Sequence, residues 1–333
     1  MLLAEHGGDL FAARRAYPQA PEPWLDLSTG INPYAYPFAH SPMESFTRLP
    51  QPEELRALAA VAAMAYRAPA AAEVVAAPGT QAIMNWLPHL VPARRVGILG
   101  VTYSEHARSW ATSGADLTVV EDLSGLEDKD IAIVVNPNNP DGRLVLAADL
   151  RALAAVLGKR GGLLIIDEAF VDFLEPGASA VPDTAESGVA VLRSFGKTYG
   201  LPGLRLGFAV ASKPVAEKLR AALGPWPVSG AAIAIGSTAL TDAEWLAATR
   251  ARLHADAAAL DKMLAAAGFA PIGGSPLFRL MRHEDAQGWF ERLAKGGILV
   301  RRFEARPFWL RFGIAGSDAG RNRLCAALGL ASP

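Results

Sequence analysis

Seven short apolar runs alternate with helical segments through the first two thirds of the chain, and this alternation constrains the fold more than any other feature. The runs cover residues 74–77, 96–99, 117–120, 131–135, 163–167, 189–192 and 206–210, with helical stretches at about 53–66, 80–90, 104–113 and 147–159. Continuous apolar runs between helices predict strands buried on both faces, and hence a mostly parallel sheet. The last two runs are joined by too few residues for a helical crossover, so we expect that pair to be antiparallel or separated in the sheet.

The pattern changes after about residue 215. An Ala-rich helical run covers roughly 242–267, strand-like pieces follow at 277–281, 298–302 and 309–313, and helices are expected at about 284–295 and 317–330. Residues 1–40 are rich in Pro, Gly and aromatic residues, which predicts an arm with turns. We therefore predict an α/β fold with a seven-stranded, mostly parallel sheet in a large domain at 41–215. The N-terminal arm, 1–40, joins a small C-terminal α+β domain at 216–333.

Composition excludes several classes of function. With 333 residues, 51% of them apolar, and a net charge of −1, the chain is long enough for two domains and carries no electrostatic footprint for nucleic acid. One cysteine, Cys325, excludes an internal disulfide and fits a reducing, cytoplasmic location. Prolines and glycines interrupt the uncharged stretch between Arg220 and Asp242, which predicts a buried turn and helix rather than a membrane span. The histidines lack metal-ligand spacing, so no metal site is expected.

Polar side chains follow several of the predicted strands, at the end of the sheet where ligands bind in such folds. Pro78-Gly79-Thr80-Gln81 opens a helix, and the free backbone N–H groups at a helix start suit a phosphate. A plain helix cap by Thr80 is the alternative. In Asn136-Pro137-Asn138-Asn139-Pro140-Asp141-Gly142, Asn139 can offer a side-chain amide to a phenolic oxygen, unless the segment is only a turn.

Asp167 and Lys197 are the charged residues that most strongly indicate chemistry. Asp167 ends a very apolar strand, where a carboxylate is costly without a partner; a protonated pyridine nitrogen is one such partner, and a helix cap is the structural alternative. Lys197 lies on a turn after another strand, and Arg205, eight residues on, can bind a phosphate bidentately. We interpret Lys197 as the residue that forms a Schiff base with pyridoxal phosphate, against a solvated charge or the tail of a P-loop. Val191, where a P-loop needs glycine, excludes the last of these.

In this order the features resemble the fold-type-I family of pyridoxal-phosphate enzymes, the aspartate-aminotransferase-like fold, over about residues 5–328. The resemblance implies that Lys197 binds the cofactor, that Asp167 pairs with its ring nitrogen, and that Asn139 contacts its ring hydroxyl. It also implies a stacking residue and a phosphate-binding set, which are Tyr103 for the ring and Gly79, Thr80, Ser194 and Arg205 for the phosphate. Members of the family are usually two-fold dimers, so a homodimer is expected.

Two branches of that family, both acting on amino phosphates, are most similar to this chain. They are the histidinol-phosphate aminotransferases and the threonine-phosphate decarboxylases of cobalamin biosynthesis. The resemblance implies a substrate-binding set of His6, Asn32, Arg301 and Arg311. Within it, Arg311 would hold the substrate carboxylate, and His6 and Arg301 the substrate phosphate.

Several local motifs favour the decarboxylase branch. His6-Gly7-Gly8-Asp9, Gly30-Ile31-Asn32-Pro33 and Pro225-Trp226-Pro227-Val228 are similar to motifs of that branch, and Phe170 stands where aminotransferases usually have a tyrosine. Leu49 departs from the family, which usually has a tyrosine that reaches the cofactor phosphate of the partner subunit.

The expected reaction is the pyridoxal-phosphate-dependent decarboxylation of L-threonine O-3-phosphate to (R)-1-amino-2-propanol O-2-phosphate. An aminotransferase acting on histidinol phosphate or a similar amino phosphate remains the alternative, since it shares nearly every residue. A non-catalytic regulator built on this fold is disfavoured, because the chain has no basic stretch for a DNA-binding domain.

Overall fold

The computed structural model describes residues 7–38, 42–184 and 188–330. The chain divides into two compact units. The larger unit comprises Ala35–Asn139 and Arg143–Leu246, and the smaller one comprises the chain up to Tyr34, Pro140–Gly142 and the chain from Ala247 onward.

Helices and strands alternate through both units. The strands are β1 (Leu25–Leu27), β2 (Ala72–Ala77), β3 (Arg95–Leu99), β4 (Asp116–Val120), β5 (Ile131–Val135), β6 (Leu163–Asp167), β7 (Val189–Ser194), β8 (Gly207–Ser212), β9 (Ala270–Ser275), β10 (Phe278–Arg282), β11 (Ile298–Arg302) and β12 (Trp309–Gly313). The helices are α1 (Leu10–Ala16), α2 (Glu44–Thr47), α3 (Pro52–Ala65), α4 (Thr80–Leu90), α5 (Ser104–Ala111), α6 (Ala147–Gly158), α7 (Phe195–Thr198), α8 (Lys213–Leu223), α9 (Gly230–Thr241), α10 (Ala243–Ala266), α11 (Ala286–Lys295) and α12 (Asp318–Ala327).

A seven-stranded sheet forms the centre of the larger unit, in the order β2-β8-β7-β6-β5-β3-β4. The strands β3 to β7 pair in parallel, whereas β8 runs antiparallel between β2 and β7. The mostly parallel sheet is therefore confirmed, and of the two arrangements expected for its last two strands, antiparallel or separated, the structure has the antiparallel pair. Every residue of β5 and β6 is buried, because helices cover both faces there, while the edge strand β4 is largely exposed.

The smaller unit contains a five-stranded sheet in the order β1-β11-β12-β10-β9. Strand β1 pairs in parallel with β11, and the other pairs are antiparallel. The sequence analysis did not anticipate β1, β9 or α1. Strand β1 has three residues, β9 contains Pro271 and two glycines, and α1 has seven residues, so none shows a clear period.

The uncharged stretch before Asp242 forms a turn and the helix α9, as predicted. Alanines, isoleucines and a glycine of α9 are buried, because the apolar helix packs inside the larger unit. Within the described ranges, no helix is long and apolar enough to cross a membrane.

Candidate active site

The antiparallel strand β8 gathers three segments of the larger unit at one end of the sheet. Gly207, its first residue, is paired with Ala77 of β2 on one side and with Ser194 of β7 on the other. Since β8 begins where β2 and β7 end, the turn before β8 lies beside the ends of both neighbouring strands. Residues far apart in the chain, Gly79, Ser194 and Arg205, therefore belong to one edge of the sheet.

Gly79 and Arg205 form a cradle at the start of α4. Gly79 is the N-cap residue with a φ of 84°, and no side chain caps this helix, so its first N–H groups stay available to an anion. A Cβ atom on Gly79 would lie 2.6 Å from Nη2 of Arg205, and one on Gly207 would lie 2.6 Å from the backbone nitrogen of Thr80. Gly207 is required by the close approach of backbone atoms, and Gly79 is favoured by its positive φ. The alternative role of Thr80 as a helix cap is wrong, because Thr80 is the first helical residue.

Asp167 has a buried partner in His106 of α5. Oδ2 of Asp167 lies 2.9 Å from Nε2 of His106, and Oδ1 accepts a hydrogen bond from the backbone N–H of Ala169 at 3.1 Å. Burial works against the charge of this carboxylate, but His106 and the positive charge of Lys197 hold the pKa of Asp167 below its usual range. The site therefore keeps Asp167 ionised.

His106 is a functional candidate that the sequence analysis missed. It is 2% exposed and lies three residues after Tyr103, the N-cap residue of α5. Side chains three apart on a helix share a face, so this spacing was the available signal. A histidine after a strand end is not specific by itself, since its carboxylate partner comes from a distant strand.

Lys197 lies on the short helix α7, directly after β7. Its Nζ atom is 4.5 Å from the ring centroid of Phe170 and 5.8 Å from that of Tyr103. The hydroxyl of Tyr103 donates to Oε1 of Gln81 at 3.4 Å, which holds the tyrosine near the start of α4. The structure thus brings together an amine, two aromatic rings and the carboxylate of Asp167.

The loop that carries Asn139 is fastened to its neighbours by the asparagines that precede it. The backbone N–H of Asn136 donates to the carbonyl of Asp167 at 2.8 Å, and the side chain of Asn136 exchanges two hydrogen bonds with the backbone of Val145. Oδ1 of Asn138 accepts from the hydroxyl of Thr102 at 2.6 Å. The segment is therefore an ordered turn beside Asp167, and it places Asn139 at the same end of the sheet.

Arg301 and Arg311 are directly opposite each other on the paired strands β11 and β12 of the smaller unit. Arg311 is 6% exposed and donates from Nη2 to the carbonyl of Ser28 at 2.7 Å. Burial and the neighbouring charge of Arg301 lower the pKa of Arg311 to about 9, although Asp26 acts in the opposite direction. A bound anion would relieve the unfavourable charge, so the arginine pair suits a carboxylate or a phosphate.

Asn32 is also buried in the smaller unit. Its Oδ1 accepts from the backbone N–H of Tyr34 at 2.9 Å, and the hydroxyl of Tyr34 donates to Asp256 of α10 at 2.6 Å. These bonds fix the turn that carries Asn32. His6, the fourth predicted substrate-binding residue, lies outside the described residues.

Residues 26–328 match the aminotransferase class I and II family, and the chain belongs to that family. Over 326 residues it is 43% identical to a threonine-phosphate decarboxylase of Sinorhizobium sp, with 97% of each chain covered. It is 39% identical to the threonine-phosphate decarboxylase of Pseudomonas aeruginosa, over 98% of this chain and 97% of that one.

The solved structures support the fold. The histidinol-phosphate aminotransferase from Clostridium acetobutylicum superimposes with a TM-score of 0.82 at 22% sequence identity, covering 92% of this chain and 98% of that one. At this identity the likeness shows the shared fold of the two chains.

The residues of the larger unit fit the expected cofactor. The glycine cradle with Arg205 suits a phosphate, ionised Asp167 suits a protonated ring nitrogen, and Lys197 supplies an amine for an aldehyde. Each group faces the same end of the sheet, so one molecule with these three features can engage all of them.

Proposed function

We propose that this protein is a pyridoxal-phosphate-dependent decarboxylase that converts L-threonine O-3-phosphate to (R)-1-amino-2-propanol O-2-phosphate, a step of cobalamin biosynthesis. The observation that carries the proposal is the pair of near-full-length relatives, 43% and 39% identical, that are named threonine-phosphate decarboxylases. The amine, carboxylate and anion cradle of the larger unit support the same conclusion.

Each part of the larger unit's site has a role toward the cofactor. When bound, pyridoxal phosphate supplies an electron sink for the bond that breaks at the substrate Cα. Lys197 would hold the cofactor covalently, and Asp167, supported by His106, would keep the ring nitrogen protonated. Tyr103 would contact the ring, the amide of Asn139 would contact the ring hydroxyl, and Gly79, Thr80, Ser194 and Arg205 would hold the phosphate.

The smaller unit supplies the substrate-binding set. Arg311 holds the substrate carboxylate, Arg301 and His6 hold the substrate phosphate, and Asn32 helps to orient the amino acid. Binding energy from the remote phosphate can then be used to orient the bond from Cα to the carboxylate for cleavage. After carbon dioxide leaves, Cα needs a proton, and the amine of Lys197 is the proposed donor.

Phe170 favours decarboxylation over amino transfer. Its ring is 3% exposed and lies 4.5 Å from Nζ of Lys197, yet it has no hydroxyl to offer the cofactor, unlike the tyrosine usual in aminotransferases. The cofactor's ring hydroxyl then depends on Asn139. Amino transfer on histidinol phosphate remains the second candidate, supported by the fold shared with the aminotransferase of known structure.

A paired assay on purified, cofactor-loaded protein separates the two activities. One reaction contains threonine phosphate alone, and carbon dioxide release is followed; the other contains histidinol phosphate with 2-oxoglutarate, and glutamate is followed. Carbon dioxide without a keto acid is the expected result. Glutamate formation without carbon dioxide release would overturn the proposal in favour of the aminotransferase.

We also propose a homodimer located in the cytoplasm. An apolar groove of about 270 Å³ in the larger unit runs between the 50–55 segment and the 225–233 segment, and Trp226 beside it is 53% exposed. An exposed apolar groove of this kind suits burial against a second copy. Light scattering at assay concentration should give twice the 35.1 kDa mass, and a fully active monomer would contradict the dimer.

A further inference from the structure

Three charged residues in or near the core of the larger unit have no assigned role toward cofactor or substrate. Glu168, Asp172 and Arg193 form two ion pairs, in which Nη1 of Arg193 lies 3.3 Å from Oε2 of Glu168 and Nη2 contacts Oδ1 of Asp172. Glu168 and Arg193 are almost completely buried. We call these three residues, with Thr198, the buried ionic cluster.

Three of the four members of the cluster adjoin a residue of the candidate active site. Glu168 follows Asp167, and Thr198 follows Lys197. Arg193 precedes Ser194 at the end of β7. Because side chains alternate between the two faces of a strand, Arg193 and Ser194 point in opposite directions. The cluster therefore lies behind the residues that would meet the cofactor.

Asp172 connects the helix of the lysine to the sheet. Its Oδ2 accepts a hydrogen bond from the hydroxyl of Thr198, while Oδ1 contacts the guanidinium of Arg193. Helix α7 is thereby tied through Asp172 to β7 and, through Arg193 and Glu168, to the end of β6. Strand β7 ends at Ser194 and β6 ends at Asp167, so the cluster links both strand ends to the turn that carries Lys197.

The rest of the cluster's surroundings keep it rigid. Glu168 also accepts from the hydroxyl of Ser179 at 2.6 Å and from the backbone N–H of Ala180 at 2.5 Å. The guanidinium of Arg193 lies 4.2 Å from the ring centroid of the buried Tyr66. Because the carboxylate of Glu168 has several partners and the guanidinium of Arg193 lies over an aromatic ring, these side chains have few alternative arrangements.

Stability alone does not account for a buried ionic cluster at this place. Burying ions is costly, and apolar residues of similar size often give equal or greater stability. Burial raises the pKa of Glu168 to about 7 even though Arg193 acts in the opposite direction, which is one sign of this cost. A directional network, unlike an apolar contact, fixes orientation as well as distance.

We propose that the buried ionic cluster is a positioning device that sets the orientation of Lys197 relative to Asp167. The inference rests on the proposed function, because it assigns Thr198, Asp172, Arg193 and Glu168 to the placement of the lysine that holds the cofactor. None of the four residues needs to touch the cofactor or the substrate.

The variant Thr198→Val tests the link between the lysine helix and Asp172. Valine keeps the shape of threonine but lacks the hydroxyl that donates to Asp172. Thr249→Val, at a buried threonine of α10 in the smaller unit, is the matched control. Thr198→Ser, which restores the hydroxyl, is the rescue variant.

Three measurements are made on each cofactor-loaded variant. They are the pH titration of the visible absorbance that reports the lysine-bound cofactor, kcat and KM for threonine phosphate, and the melting temperature of the cofactor-free protein. We expect Thr198→Val to shift the titration midpoint and to lower kcat about tenfold with KM nearly unchanged, since small misplacements of a reacting group are expensive. Thr198→Ser should lie near the wild type, and Thr249→Val should change neither the midpoint nor kcat.

The outcomes separate the inference from the proposed function. A Thr198→Val protein with the wild-type titration and kcat, whatever its melting temperature, overturns the positioning role and leaves the proposed function standing. Wild-type protein without lysine-bound absorbance overturns the proposed function and the inference with it. If Thr198→Val does not fold, Asp172→Asn is measured in the same way with the same two criteria.

Discussion

Two fully buried arginines, one in each unit, experience opposite electrostatic environments. Burial acts against the charge of both. In the larger unit, Asp172 and Glu168 outweigh burial and raise the pKa of Arg193 above its usual range. In the smaller unit, burial and Arg301 lower the pKa of Arg311. The surrounding charges thus favour the charged guanidinium in the larger unit, whereas in the smaller unit the repulsion from Arg301 outweighs the attraction of Asp26.

The difference indicates how the two units are used. The larger unit supplies partners for its buried charges, including His106 for Asp167, so the groups proposed to bind the cofactor are held in place by the protein itself. The smaller unit holds two cations opposite each other, which favours an incoming anion. A decarboxylase that acts on an amino phosphate requires an ordered cofactor site and a substrate site that attracts anions.

Lys197→Ala should have the largest effect on the larger unit's site. Turnover of threonine phosphate should fall at least about 1,000-fold, because the covalent anchor and the proposed proton donor are both lost. Carbon dioxide release measures the turnover, and visible absorbance measures the lysine-bound cofactor. Lys213→Ala, at an exposed lysine of the same unit, is the control. Full activity in Lys197→Ala would remove this residue from the mechanism.

The two arginines should differ in how far they support folding. Arg193→Met should lower the free energy of unfolding by about 3–5 kcal/mol, because it leaves Glu168 and Asp172 buried without their cation. Arg311→Met should lower it by only about 1 kcal/mol, since the hydrogen bond to Ser28 and the attraction of Asp26 are lost while the repulsion from Arg301 and the cost of burying a charge are relieved. Urea denaturation of the cofactor-free proteins measures both values, and equal losses would contradict the contrast between the units.

Asp167→Asn should lower kcat roughly a hundredfold, because the counter-charge of the ring nitrogen disappears. This corresponds to a loss of about 3 kcal/mol of transition-state stabilisation. Asparagine keeps the shape and can still contact His106. Asp122→Asn, at an exposed carboxylate of the same unit, should leave kcat unchanged. Steady-state kinetics of the two variants measure kcat. Near wild-type turnover in Asp167→Asn would count against the pairing of Asp167 with the ring nitrogen.

Glu168→Gln should change the pH dependence of stability. The pKa of Glu168 is raised to about 7 in the folded protein, so the folded state holds this proton more tightly than the unfolded state. Its contribution is fully present below the unfolded pKa of about 4.5 and is lost as pH rises toward 7. The wild type should therefore lose more stability than Glu168→Gln between about pH 5 and pH 7, by about 1–3 kcal/mol. Melting curves across this range that run parallel would contradict the raised pKa.

Local patterns in the sequence were enough to predict most of the main elements and to single out Asp167 and Lys197, whereas the other proposed site residues came largely from the family resemblance. The continuous apolar runs at 131–135 and 163–167 coincide with β5 and β6, because a strand buried on both faces needs apolar residues at every position. The polar residues after such runs, Asp167 among them, could be read as ligand-binding candidates for the same reason: a charge next to a buried strand requires a partner.

The partners of those residues depend on tertiary structure. His106, which contacts Asp167, is 61 residues away in the chain, and no periodicity of the local sequence indicates such a pair. The sequence analysis assigned no role to Arg193, which directly follows the apolar run 189–192, because only the sheet places it beside Glu168. Likewise, the cradle of Gly79 and Arg205 exists because β8 inserts between β2 and β7. Apolar periodicity is a local property of the chain, whereas strand order is decided by long-range packing, and strand order selects which charges meet.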